Sequence, residues 1–199
     1  MIRLVAPIFS LLLGIGVLLV GGGFLGTLLG LRATAEHFSQ ITTGLIMSAY
    51  FFGFIAGAYL CPPLINRVGH IRAFAAMAAM ASVSVLLHPL LVQPLVWGAL
   101  RFITGLCTVG LYMVIESWLN SRASNQQRGQ LFAVYMTVTL VAMAAGQFLL
   151  LFNPVDGVVP FAVVTILFSL GLVPVALTRV REPLPIATQY FFASSSAPV

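Results

Sequence analysis

Six apolar runs follow one another with very little between them: Leu4 to Leu31, Ile41 to Ile65, Ala73 to Leu91, Leu95 to Leu119, Leu131 to Phe152 and Val158 to Leu177. A helix needs about 20 apolar residues to cross a hydrocarbon core, and each run is long enough. With 60% hydrophobic and 7% charged residues in 199, the chain has too little polar surface to coat a water-soluble globule. The pattern predicts an all-α membrane protein, with residues 1–182 forming one six-helix bundle. Residues 183–199 drift into Pro, Ser and Ala and read as a cytoplasmic tail, a disordered or truncated end. The first run is far longer than the roughly 7 to 15 apolar residues of a signal-peptide core, so it reads as an uncleaved span.

The nine cationic side chains are all arginines. Arg3, Arg67, Arg72, Arg122, Arg128, Arg179 and Arg181 lie at the start, at the end and in alternate gaps between runs, whereas the other gaps carry only Arg32. Cationic residues near span ends are retained on the cytoplasmic side, which predicts that both termini are cytoplasmic. The net charge of +5 is spread singly over several segments, without a basic helix or an aromatic platform, so no nucleic-acid partner is expected. Cys61 and Cys107 sit inside apolar runs without paired spacing, which supports neither a disulfide framework nor a metal site. No cofactor-binding pattern is present either, and the partners expected are membrane lipids and a small-molecule substrate.

Helices in lipid gain little from the hydrophobic effect on contact, so close approach through small residues has to hold them together. Gly22, Gly26 and Gly30 recur every four residues in the first run, Gly53 and Gly57 repeat the device in the second, and Gly146 stands in the fifth. All six are expected at helix-packing surfaces. The fifth run carries a faint small and polar face of Tyr135, Thr139, Ala142 and Gly146, with Gln147 beside it. His37, His70 and His88 are isolated and read as solvated or satisfied residues.

The fourth run holds the chemistry. Arg101, Gly105, Thr108, Tyr112 and Glu116 are spaced four, three, four and four apart, which gathers them within about 80° on a helix. A charge near mid-bilayer costs several kcal/mol unless it faces protein or water, so this stripe is expected to line a bundle interior or an aqueous cavity. Arg101 and Glu116 are roughly 22 Å apart along the axis and cannot pair with each other. Two placements stay open for Glu116: snorkelling to the inner headgroups, or pairing with Arg67, Arg72 or Arg122.

The turn Leu64-Ile65-Asn66-Arg67-Val68-Gly69-His70-Ile71-Arg72 resembles the signature loop between the second and third helices of the major facilitator superfamily. Leu64, Arg67 and Gly69 match that signature, while Pro62, Asn66 and His70 replace its glycine, aspartate and arginine. Arg101 to Gly105 with Gly110 is similar to the family's fourth-helix motif, and Glu116 to Arg122 to the acidic and basic pair that follows it. Gly30 to Ala33 and Met47 to Gly53 resemble a bacterial branch labelled as sugar or drug efflux permeases.

The resemblance implies two six-helix halves, each of two inverted three-helix repeats, with solute held between the halves. This chain would supply the amino-terminal half, although its first and last three spans show no repeat at the level of letters. It would be an incomplete secondary transporter working by alternating access in a bacterial cytoplasmic membrane, completed by a carboxy-terminal half or a second copy, and not an enzyme. A fragment inactive alone, or a homo-oligomeric channel or half transporter, is the alternative. In this picture Arg101, Gly105, Thr108 and Tyr112 face the central cavity, where Arg101 binds an anionic or polar group or biases a neighbouring carboxylate's proton. Asn66, Arg67, Gly69, Arg72, Glu116 and Arg122 form a cytoplasmic network that makes and breaks with the transport cycle.

Overall fold

The structure, a computed structural model, describes residues 9–122, 126–152 and 155–177; these contain helices and no strand. Arg3, Arg179, Arg181 and the tail 183–199 lie outside the described residues, as does the side chain of Arg122. Six helices follow in order: α1 (Phe9–Ala35), α2 (Gln40–Val68), α3 (His70–Leu87), α4 (Pro94–Arg122), α5 (Arg128–Phe148) and α6 (Val159–Ala176). Each is long and apolar enough to cross a membrane.

Local chemistry sets the ends. The first run continues beyond Leu31 to Ala35, carrying Arg32 in its last turn, where a cation complements the exposed helix carbonyls. A turn through His37, at φ 58°, follows, and Ser39 starts α2 by accepting the Thr42 N–H at 3.1 Å. Between α2 and α3 a single residue, Gly69, makes the reversal at φ 89°, a backbone region that glycine enters without a Cβ penalty. The third helix stops at Leu87 rather than Leu91, because Pro89 has no N–H to bond Val85 and its ring opposes a further turn. Pro62 and Pro63 interrupt α2 without ending it.

The packing has an internal symmetry. α1 lies along α5 and α6, α4 lies along α2 and α3, and α3 meets α6. Exchanging helices one to three for helices four to six reproduces the same set of neighbours. α1 and α2 scarcely touch, nor do α4 and α5, so the two packed groups leave a gap between α1 and α4.

Glycines make the closest crossings. A Cβ on Gly53 would collide with the Phe102 carbonyl, and one on Gly105 with the Tyr50 carbonyl, so α2 and α4 touch backbone to backbone. α1 and α5 do the same through Gly23 against Met143 and Gly146 against Val20. Gly57 packs on Leu106 and Val109 of α4. The expectation for Gly22 and Gly26 is corrected: a Cβ on either would meet nothing within 4 Å, and Gly30 has only an ordinary contact with Met47 at 3.7 Å. The close-packed glycines of α1 are instead Gly14 and Gly21, which face α6, and Gly23, which faces α5. Successive helical residues point about 100° apart, so Gly22 faces away from the crossing made by Gly23.

Span hydroxyls mostly bond their own helix. Ser82, Ser84, Thr104, Thr108, Thr137, Thr139 and Thr165 each donate to the carbonyl four residues earlier. Polar links between helices are consequently few, and each has an identifiable place.

Candidate functional site

The gap between α1 and α4 encloses a cavity of about 190 Å³. From α4 it is lined by Arg101, Thr104, Thr108 and Tyr112, residues spaced three, four and four apart. Tyr50 and Phe51 of α2 close one side. The α1 wall is Leu18, Leu19 and Leu25 with Gly22 and Gly26, and Met143 of α5 and Phe168 of α6 complete the lining. Gly22 and Gly26 therefore leave room in a cavity wall, where side chains would fill it.

Arg101 is only 8% exposed, which places a charge inside the bundle. Its guanidinium carbon lies 4.5 Å from the centre of the Tyr50 ring, a cation–π contact. The Nε atom is buried and has no hydrogen-bond partner among the described residues. Thr104 and Thr108 donate their hydroxyl protons at 2.7 Å to the carbonyls of Leu100 and Thr104. Those threonines offer the cavity lone pairs rather than protons.

Gly105 was expected on the cavity wall and lies instead at the α2–α4 crossing, under the Tyr50 backbone. Thr104 takes the place on the wall, and its spacing of three from Arg101 and four from Thr108 was visible in the sequence. Tyr50 carried no local signal of a role beside Arg101, because it arrives from another helix.

The residues expected in a cytoplasmic network are less united. The first turn of α3 and the last turns of α4 do come together, since His70 Nε2 lies 3.0 Å from the Ser117 hydroxyl and its ring leans on Trp118. Asn66, Arg67 and Arg72 are exposed, and Gly69 provides the reversal described above. Glu116 is half-buried and accepts a hydrogen bond from the Tyr135 hydroxyl of α5 at 3.3 Å. No ion pair joins Glu116 to Arg67 or Arg72 among the described residues, and the side chain of Arg122, the third candidate, lies outside them.

At the opposite end, Arg32 pairs with Glu36 at 2.5 Å and with Asp156 at 3.3 Å, tying the α1–α2 turn to the α5–α6 turn. Trp97 donates to the His88 carbonyl at 2.9 Å, Phe38 packs edge-on against Trp97 at 5.2 Å, and His88 stacks on Phe161 at 6.2 Å. The alternate turns thus assemble at one end of the bundle, as a chain that crosses back and forth requires.

Six apolar crossing helices, arranged as two exchanged sets of three around a cavity with a buried cation, define a multi-pass membrane protein. The family model described as Major Facilitator Superfamily matches residues 11–198, and the chain belongs to that family. Its six helices fit the amino-terminal half of the fold. An "Uncharacterized MFS-type transporter YcaD" from Escherichia fergusonii is 30% identical over 87% of this chain and 46% of its own length. A protein of the same description from Escherichia coli O6:K15:H31 is 31% identical over the same shares. The chain spans about half the length of the relatives it matches. No solved structure matches it significantly.

Proposed function

We propose that the cavity between α1 and α4 is a solute site and that the protein carries a small molecule across a bacterial cytoplasmic membrane by alternating access. The observation that supports this reading most is Arg101, a buried cation that lines the cavity in a chain of this family. A charge inside the bundle is expensive, and ionisable residues at such positions are rare and mark solute or ion pathways by default. No phosphate-cradling glycine loop occurs in the sequence, so an ion or solute gradient is the proposed energy source. The arginine distribution supports a topology with both termini in the cytoplasm.

In this reading the remaining surface is covered by a second six-helix unit, whether a carboxy-terminal half or another copy. α2 and α5 present it with Phe51, Phe52, Ile55 and Tyr59 and with Leu140, Val141 and Phe148, all exposed. The Glu116–Tyr135 contact belongs to the cytoplasmic end and changes when that end opens.

Gradient-driven flux in proteoliposomes of the full-length protein, screened over sugars, drugs and organic acids, tests the reading. Arg101→Ala is expected to lower flux of the transported solute at least tenfold at normal expression. Unchanged flux would remove Arg101 from the mechanism. For the cytoplasmic end, Glu116→Gln should shift the labelling rate of cysteines placed at positions 67 and 129, and an unaltered rate would return Glu116 to a headgroup-facing role.

A further inference from the structure

We infer that the solute taken by this cavity is an organic monoanion with a compact apolar body, a monocarboxylate being the simplest case; the inference rests on the transport reading above. Among the described residues, the cavity lining contains no Asp, Glu, Asn, Gln, His or Lys. Its one charged group is Arg101. The acids nearest in sequence are elsewhere: Glu36 and Asp156 are engaged by Arg32 at the far end, and Glu116 faces Tyr135 roughly 22 Å along α4 from Arg101.

That inventory separates three solute classes. A cationic drug would enter a buried site holding a like charge and no carboxylate, a repulsion that low-dielectric surroundings strengthen. A sugar presents many hydroxyls, each of which has to exchange its water hydrogen bonds for protein ones. Here Thr104 and Thr108 can accept from a hydroxyl and Tyr50 and Tyr112 carry hydroxyls of their own, but four such groups are too few for a sugar's set, and amide or carboxylate side chains are missing from the lining. A carboxylate fits better: it neutralises Arg101, and the few partners it needs are charge-assisted bonds from the guanidinium that lines the cavity. One cation balances one negative charge, which favours a monoanion over a dianion.

The remaining walls suit the body of such a molecule. Leu18, Leu25, Phe51, Met143 and Phe168 are apolar, and the glycines Gly22 and Gly26 keep the opposite wall open. About 190 Å³ admits a small ring or a short aliphatic chain. The Tyr50 ring, 4.5 Å from the guanidinium carbon, helps hold that group at the cavity wall.

The experiment is calorimetric titration of the full-length protein in detergent with three matched series: benzoate and hexanoate, their amides, and the corresponding amines. Carboxylates are expected to bind at least tenfold more tightly than amides, and amines least. Arg101→Gln should remove that preference, while Arg101→Lys, which keeps the charge, should retain its sign, and chromatographic monodispersity of both variants establishes that they fold. Amides binding as well as carboxylates, amines binding best, or a preference that survives Arg101→Gln would overturn the assignment. An acid supplied from elsewhere in the full-length protein would appear as the amine result. Flux in the same proteoliposomes separates the two levels of failure. Movement of sugars or amines without carboxylates refutes the anion while transport stands, and movement of no solute at all refutes the transport reading with it.

Discussion

The α2–α4 seam and the α1–α5 seam occupy equivalent places in the bundle, yet they are closed by different chemistry. Both use reciprocal glycine crossings: Gly53 with Gly105 in one, Gly146 with Gly23 in the other. The α2–α4 seam continues through Gly57 against Leu106 and Val109, where its side-chain bond is the weak one from Cys61 Sγ to the Leu106 carbonyl at 3.6 Å. The α1–α5 seam adds a polar clasp, in which Gln147 Nε2 donates to the Gly23 carbonyl at 2.9 Å and Thr27 donates to Gln147 Oε1 at 2.5 Å. The difference teaches that the shared crossings hold the helices together, while the polar side chains have been distributed unequally around them. Arg101 stands beside the dry seam, and its aromatic partner Tyr50 is the residue whose backbone Gly105 touches. The crossing that packs the bundle therefore also positions the site.

The strongest way to break this comparison is to fill the dry seam. Gly105→Leu or Gly53→Leu would drive a side chain into a facing carbonyl with no flexible atom to yield, an overpacking cost of about 3 kcal/mol or more. Thermal unfolding in detergent should show a large fall in Tm or loss of monodisperse protein for both. Gly98→Ala, at a position where a Cβ meets nothing within 4 Å, should not. A stable Gly105→Leu protein would mean that the helices are not in backbone contact there.

An intermediate effect is expected from the clasp. Gln147→Leu keeps the volume and deletes both polar links to α1, and such interhelical bonds in membranes contribute about 0.6 kcal/mol each on average. The summed loss should be about 1 kcal/mol, read as a modest Tm decrease, with the α2–α4 seam undisturbed. A loss as large as that from Gly105→Leu would make the clasp, rather than the glycines, the main closure of the α1–α5 seam.

Much of this was legible in the chain because the bilayer restricts the options so tightly. Six apolar runs became six helices, and the polar spacing of Arg101, Thr108 and Tyr112 placed them on one helical face. What local pattern cannot supply is the identity of the neighbour across a gap. Gly22 and Gly26 satisfy a four-residue small spacing as well as Gly53 and Gly57 do, but the first pair faces a cavity and the second a backbone. Gly105 and Thr104 are adjacent in sequence and differ by about 100° in direction, enough to separate a packing residue from a lining residue. Tyr50 is 51 positions from Arg101, and only the crossing of α2 and α4 brings its ring over the guanidinium. Glu116 shows the same limit: its contact with the Tyr135 hydroxyl of α5 comes from another helix and has no local signal in the sequence.

The smallest effect on stability sharpens the comparison most. Gly26→Ala and Gly22→Ala place a methyl group into open space, and alanine is favoured over glycine in a helix by up to about 1 kcal/mol. Both variants should therefore unfold at the parent Tm or slightly above it. The same methyl groups narrow the wall opposite Arg101, so solute flux is expected to fall severalfold while the protein remains as stable as before. Stability and flux would then dissociate along α1, where equivalent glycine substitutions along α2 lower both together. A clear loss of Tm in Gly26→Ala would place α1's four-residue strip at a packing surface and return the comparison to two seams of the same kind.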